Sequence, residues 1–195
     1  MNNTPTREGP VLVLGSSGID IIGRPNQKLT HSSSSPGSVR IAAGGVARNV
    51  AENLARLGQD AVLLTAVGED AEGQNLLAQT EASGVDISYT LTSPDVETGA
   101  YLAVLDEFGT LQYAIDNISA AEAITPGYLQ KHRKLFKHAA AVFLDSNLSP
   151  RTMVSASKLA RKYDVPIAAD PTSLVLAPNL KPLLADLWLV TPNEN

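Results

Sequence analysis

Short apolar runs recur along the chain, each closed by a glycine or a polar turn. Most are followed by a segment whose apolar residues fall three or four apart. The first run, Val11-Leu12-Val13-Leu14, ends at Gly15 and predicts a buried strand. Ile19, Ile21 and Ile22 resume the pattern after Gly18, with Asp20 between them. Residues 26–38 are polar and serine-rich and predict a loop. Val39, Ile41 and Ala43 then alternate toward Gly44-Gly45, which predicts a second short strand. Beyond the glycines, Val46, Val50, Leu54 and Leu57 form one helical stripe, and Arg48, Glu52 and Arg56 descend another face at a spacing of four. Gly58 stands where a helix C-terminal glycine belongs.

Downstream, residues 61–67 predict a strand, residues 71–83 a helix closing at Gly84, and residues 85–91 a strand-like segment. Residues 98–116 break the rhythm. Tyr101, Ala103 and Leu105 alternate before the turn Asp106-Glu107-Phe108-Gly109, and Leu111, Tyr113 and Ile115 alternate after it, which predicts a hairpin. From Thr125-Pro126 a helix is expected to about Lys137, with proline in its first turn. A strand at 140–144, a helix from Ser149-Pro150 to Tyr163 and a strand at 165–169 follow. A short helix near 180–185 and a last strand at 188–190 complete the series. Strands alternating with helices predict a parallel sheet covered on both faces. The pieces at about 20–43 and 98–116 do not fit that sheet and predict a small β flap beside it. No internal repeat or linker divides the chain, so residues 1–195 read as a single α/β domain.

Composition narrows the function classes. At 44% hydrophobic and 18% charged residues, 195 residues can bury one sizeable core. The net charge of −5, with no basic run, argues against a nucleic-acid surface while leaving room for a small phosphorylated ligand. The absence of cysteine excludes disulfides, zinc–thiolate sites and thiol nucleophiles. Residues 1–10 are polar without the apolar centre of a signal peptide, and no apolar run nears the roughly 20 residues of a membrane helix. A cytoplasmic protein is the expectation. His31, His132 and His138 have no metal-like grouping, and no serine has a neighbouring histidine to activate it. Lys131, Arg133, Lys134 and Lys137 read as a solvated helix face.

The glycine pair raises the chemical question. Gly44-Gly45-Val46-Ala47-Arg48-Asn49 has neither GxGxxG spacing nor the lysine of a P-loop. Gly15-Ser16-Ser17-Gly18 also lacks a third glycine, which leaves a dinucleotide site poorly supported. A tight strand-to-helix turn and a close approach by a ligand both remain open for Gly44-Gly45. Asn49 falls in the first turn of the helix, where an amide can meet a ligand held by the backbone. Asp20 is a carboxylate between isoleucines, which needs a partner or an open cleft. Such clefts lie at the carboxyl ends of parallel strands.

The stretch from Gly44-Gly45 through Asn49 to Leu57-Gly58, followed by Gly68-Glu69-Asp70 and Gly73, resembles the first signature of the ribokinase-like (PfkB) sugar and nucleoside kinases. Gly15 through Asp20 is similar to that family's opening strand, and the hairpin matches the place of its lid. Asp170-Pro171 and Thr191-Pro192-Asn193-Glu194 resemble strand ends on its nucleotide side. Within the family, "GGVARNVAENLARLG" and "LDSNLS" look most like the pseudouridine kinases. The resemblance implies a three-layer α/β/α fold with a mostly parallel sheet and a β lid. It implies transfer of the γ-phosphoryl group of ATP to a sugar or nucleoside hydroxyl, such as the 5′-OH of pseudouridine, with Mg²⁺ and in some members a monovalent cation. Carried over, Asp20, Gly44, Gly45, Asn49 and Asn147 would bind substrate, and Asp170 and Asn193 would face nucleotide and metal. For Asn147, a helix cap beside Ser149 is an equal alternative. The family's glycine-rich D-T-x-G-A-G-D motif, which carries the catalytic base, is absent from these 195 residues. A truncated, inactive chain with its base beyond residue 195 is therefore expected. A non-catalytic sugar-binding module, or a degenerate kinase fragment, is the alternative. The alternating lid could also pair with a second copy.

Overall fold

The computed structural model describes residues 7–193. In chain order the strands and helices are β1 (Val11–Leu14), β2 (Gly18–Pro25), β3 (Gly37–Gly44), α1 (Val46–Arg56), β4 (Ala61–Leu64), β5 (Ala66–Gly68) and α2 (Ala71–Ala82). There follow β6 (Leu91–Ser93), β7 (Gly99–Leu105), β8 (Leu111–Asn117), α3 (Pro126–Lys131), α4 (Arg133–His138), β9 (Ala141–Asp145), α5 (Pro150–Lys162), β10 (Ile167–Asp170) and β11 (Leu189–Val190).

Five strands form one parallel sheet in the order β11-β10-β9-β1-β4. Because side chains alternate across a strand, the apolar runs feed both faces. Leu12, Leu14, Leu64, Val142 and Leu144 face a large core with Leu129, Phe136, Met153 and Leu159, contributed by α3, α4 and α5. Val13, Leu63 and Phe143 face the other way, onto Ala47 and Ala51 of α1. The result is the three-layer α/β/α architecture expected.

The flap is a separate four-stranded sheet in the order β3-β2-β7-β8, with β2 and β7 parallel and the outer pairs antiparallel. Its register divides its two faces. Ile41, Ile21, Leu102 and Ile115 form one cross-strand row, and the adjacent row Ala42, Asp20, Tyr101 and Asp116 points to the opposite face. Of the first row, Ile41 and Ile115 are largely exposed, as are Val39 and Tyr113 beyond it.

Four local expectations are corrected. The strand expected at 61–67 breaks at Thr65, because β4 pairs with β1 while β5 leaves to pair with β6. The strand-like segment 85–91 makes one bridge, Val62 to Asp86, and its ladder begins at Leu91. The helix expected to Lys137 stops and restarts at His132, whose ring packs against Tyr89 and Tyr128. The short helix at 180–185 is a 3₁₀ segment over Ala177–Asp186, where Pro182 supplies no N–H to an α ladder. No helix among the described residues is long and apolar enough to cross a membrane.

Candidate active site

Between the carboxyl ends of the parallel strands and the inner face of the flap lies a cavity of about 310 Å³. Its walls include Ser16, Asp20, Gly45, Asn49, Tyr101, Asp116, Asn147 and Thr172, and among the described residues no lysine, arginine or histidine lines it. Asp20, Asn49, Gly45 and Asn147, chosen from distant parts of the sequence, therefore meet in one place. Gly44 stands just behind them. A Cβ on Gly44 would come within 2.3–2.6 Å of the Asp20 carboxylate, so the glycine makes room for that side chain. Gly45, at φ +94°, packs on the β1–β2 loop, and a Cβ there would lie 2.5 Å from the Ser17 Cα. What approaches the glycine pair most closely is thus the protein itself.

That packing decides the fate of the α1 N-terminus. Gly45, the N-cap, has no side chain to offer the first N–H groups. Other segments supply the acceptors. Val46 N–H donates to Ser16 Oγ (3.1 Å), Ala47 N–H to Asp145 Oδ2 (3.1 Å) and Arg48 N–H to the Ser16 carbonyl (3.1 Å). These donors are occupied, so the helix start is not an anion cradle.

The remaining polar groups carry a directional code. Asn49 Oδ1 accepts from Arg48 Nη1 at 3.0 Å, so its Nδ2 donors are left for a ligand. Asn147 Nδ2 donates to Ser16 Oγ at 3.0 Å, which leaves its Oδ1 as an acceptor. Asn147 does not cap α5; Ser149 does, accepting from Thr152 N–H. The Asp20 carboxylate has no hydrogen-bond partner among the described residues. Burial raises its pKa above the ordinary 3.8, with the Arg48 cation pulling the other way.

Arg48, which the sequence places in a charge row with Glu52 and Arg56, turns inward. It is 5% exposed and reaches between α1 and α2, donating from Nε to Thr80 Oγ1 (3.2 Å) and pairing with Glu52 (2.5 Å). Asp145 was also not singled out from sequence. It is fully buried; its place at the end of the apolar run 141–144 and inside the stretch "LDSNLS" was the signal that could have found it. Tyr101 and Asp116 reach the site through the flap register, a signal no local pattern carries.

Asp170 and Asn193 line a neighbouring cavity of about 180 Å³, which shares Thr172 and Ser173 with the first. Asp170 accepts from Thr172 N–H (2.7 Å) and the Thr191 hydroxyl (2.9 Å). Thr172 holds φ +63°, unusual for a β-branched residue, at the boundary between the two cavities. Glu194 lies outside the described residues. Among the described residues no group of three or more His, Asp or Glu side chains could hold a metal ion.

The chain matches the family model described as pfkB family carbohydrate kinase over residues 10–195. It is 37% identical to a pseudouridine kinase of Escherichia coli over 184 residues, covering 94% of this chain and 58% of that one. A solved carbohydrate kinase from Agrobacterium tumefaciens superposes with a TM-score of 0.84 at 29% identity, covering 94% of this chain and 60% of the other. The Arabidopsis thaliana ribokinase solved with ribose and ATP shares the fold, with a TM-score of 0.81 at 21% identity over 95% of this chain and 60% of that one. The chain thus spans about six-tenths of the length of these relatives.

Proposed function

Because the chain belongs to the pfkB family of carbohydrate kinases, we propose that it forms the sugar-binding half and lid of a kinase that phosphorylates a nucleoside, with pseudouridine the favoured substrate. The observation that carries this reading is the code of the 310 Å³ cavity. Asp20 offers acceptors, Asn49 donors and Asn147 an acceptor, which suits the hydroxyls of a ribose, each both donor and acceptor. Among the described residues two carboxylates and no cation line the cavity, so a neutral sugar is favoured and a sugar phosphate repelled. The 37% identity to a pseudouridine kinase supports the choice of nucleoside.

In this reading the chain's residues bind and orient. Asp20 and Asn49 grip ribose hydroxyls, and the flap closes over them to exclude water. Asp170 and Asn193, in the adjoining cavity, face the phosphates of ATP, which supplies the γ-phosphoryl group. The described residues complete no site for Mg²⁺. These 195 residues contain no D-T-x-G-A-G-D motif to supply a base for the hydroxyl proton, so in this reading they bind the sugar without transferring phosphate.

Calorimetric titration of the chain with pseudouridine, ribose and ribose 5-phosphate tests the reading. Pseudouridine is expected to bind, Asp20→Ala to weaken it at least tenfold, and ribose 5-phosphate to bind far more weakly. Equal binding of the phosphate, or indifference to Asp20→Ala, would overturn it.

We further assign the outer face of the flap to a second copy of the chain. Val39, Ile41, Tyr113 and Ile115 are 68–73% exposed on adjacent rows of one sheet face, an apolar surface of the kind that marks an interface.

A further inference from the structure

Asp145 ends β9 wholly buried, and the binding scheme above leaves it without a task. Everything around its carboxylate is a donor. Oδ2 accepts from the Ser16 N–H (2.7 Å), the Ser16 hydroxyl (2.7 Å) and the Ala47 N–H (3.1 Å), and Oδ1 accepts from the Asn147 N–H (2.9 Å). Gly15 makes the seat possible, because a Cβ there would lie 2.3–2.5 Å from the carboxylate atoms. The Ser16 hydroxyl is saturated in turn. It donates to Asp145 and accepts from the Val46 N–H and from Asn147 Nδ2, which fills its one donor and two acceptor places. Ser16 lines the cavity yet has nothing left for a ligand.

We propose that Asp145 is the positioning residue of the sugar pocket, acting through Ser16 to set Asn147 and the first turn of α1, which carries Asn49. The assignment rests on the sugar-site reading for the roles of Asn49 and Asn147. Three segments meet at this one carboxylate: the β1–β2 loop, the α1 N-terminus and the turn after β9. Two of them are roots of the flap, since β2 begins at Gly18 and β3 ends at Gly44. A buried carboxylate holds them together because its four contacts all require an acceptor. An amide of the same shape cannot replace it. If its oxygen faces Ser16 and Ala47, its NH₂ group must face the Asn147 N–H, donor against donor.

The test uses the 195-residue chain carrying Asp145→Asn or Ser16→Ala, with pseudouridine titrations and residue-resolved amide hydrogen exchange without ligand. For Asp145→Asn the expected results are at least tenfold weaker pseudouridine binding and at least tenfold faster exchange at Asn147, with Phe143 in β9 unchanged. Ser16→Ala keeps the carboxylate and removes only the hydroxyl. It is expected to weaken binding by a similar factor and to speed exchange at Val46 alone. Wild-type affinity in both variants would overturn the proposal, as would exchange rising equally along β9 and β1, the mark of a purely structural role. Should Asp145→Asn fail to fold, Ser16→Ala decides on the same two readouts. Should the unaltered chain not bind pseudouridine, the nucleoside reading fails instead. Exchange then decides: local loss at Asn147 upholds the positioning role, and its absence overturns it.

Discussion

At Asp20 the carboxylate keeps its acceptors free while burial raises its pKa above 3.8 and the Arg48 charge opposes the rise. Only the ionised form presents acceptors alone, so sugar affinity should fall as pH drops through this raised pKa. The loss therefore begins at a higher pH than an ordinary carboxylate would give, which titrations between pH 7 and pH 4 can follow. Arg48→Met removes the cation and also the bond that orients Asn49. It should weaken pseudouridine binding at neutral pH by about tenfold or more, the scale of one lost charge-assisted bond, and move the acid limb upward. Gly45→Ala should cost about 2–3 kcal/mol, since it combines a left-handed φ with a Cβ driven into Ser17. Thermal melting reads that loss as a lower Tm. Among these residues Asp20, Asn49 and the glycine pair were legible in sequence. Arg48 was legible only as part of an i, i+4 charge row, because such a row looks the same whether or not Thr80 of another helix waits opposite.

Helices in this chain show two ways of satisfying a first turn. α2 is capped locally. Asp70 accepts from the Gly73 N–H (2.7 Å) and also from the Thr98 N–H (2.9 Å) and hydroxyl (2.5 Å), which tie the helix to the start of β7. Burial pushes the Asp70 pKa up, but the bonds from Thr98 and Gly73 outweigh it and the net shift is downward. A depressed folded-state pKa gives stability that is present above the unfolded value and lost as pH falls through the folded one. Asp70→Ala should accordingly cost about 1 kcal/mol at pH 7. The gap from the unaltered chain should shrink below about pH 4. Melting curves at the two pH values check this. α1 takes the second way, with no cap of its own and acceptors borrowed from Ser16 and Asp145. Local sequence announces the first arrangement, since Asp70 and Gly73 are three apart. It cannot announce the second, whose partners lie 30 and 98 residues away.

On the scale of the whole molecule, the apolar outer face of the flap should make the chain self-associate. Sedimentation is expected to show a dimer that Ile41→Glu converts to monomer, with pseudouridine affinity unchanged because that row faces away from the cavity. A monomer before substitution would sink the assignment. The sequence by itself determined the main sheet, its covering helices and the flap, because each rests on a periodicity that one segment carries alone: continuous apolar runs for buried parallel strands, alternation for the flap, a 3.6-residue stripe for the helices. It also showed that Gly44-Gly45 has neither GxGxxG spacing nor a P-loop lysine, but the anion cradle is excluded only by the fold, where the first N–H groups of α1 are occupied. The tertiary structure alone decided that the glycines admit Ser17 and the Asp20 side chain, that Tyr101 and Asp116 join Asp20 across the flap, and that Asp145 binds three segments at one point. The physical reason is that these are pairings of donor with acceptor, or of missing side chain with neighbouring atom, between residues far apart in the chain. A single segment records its own period, and the partner that fills its last valence comes into being only when the sheet and the flap close on each other.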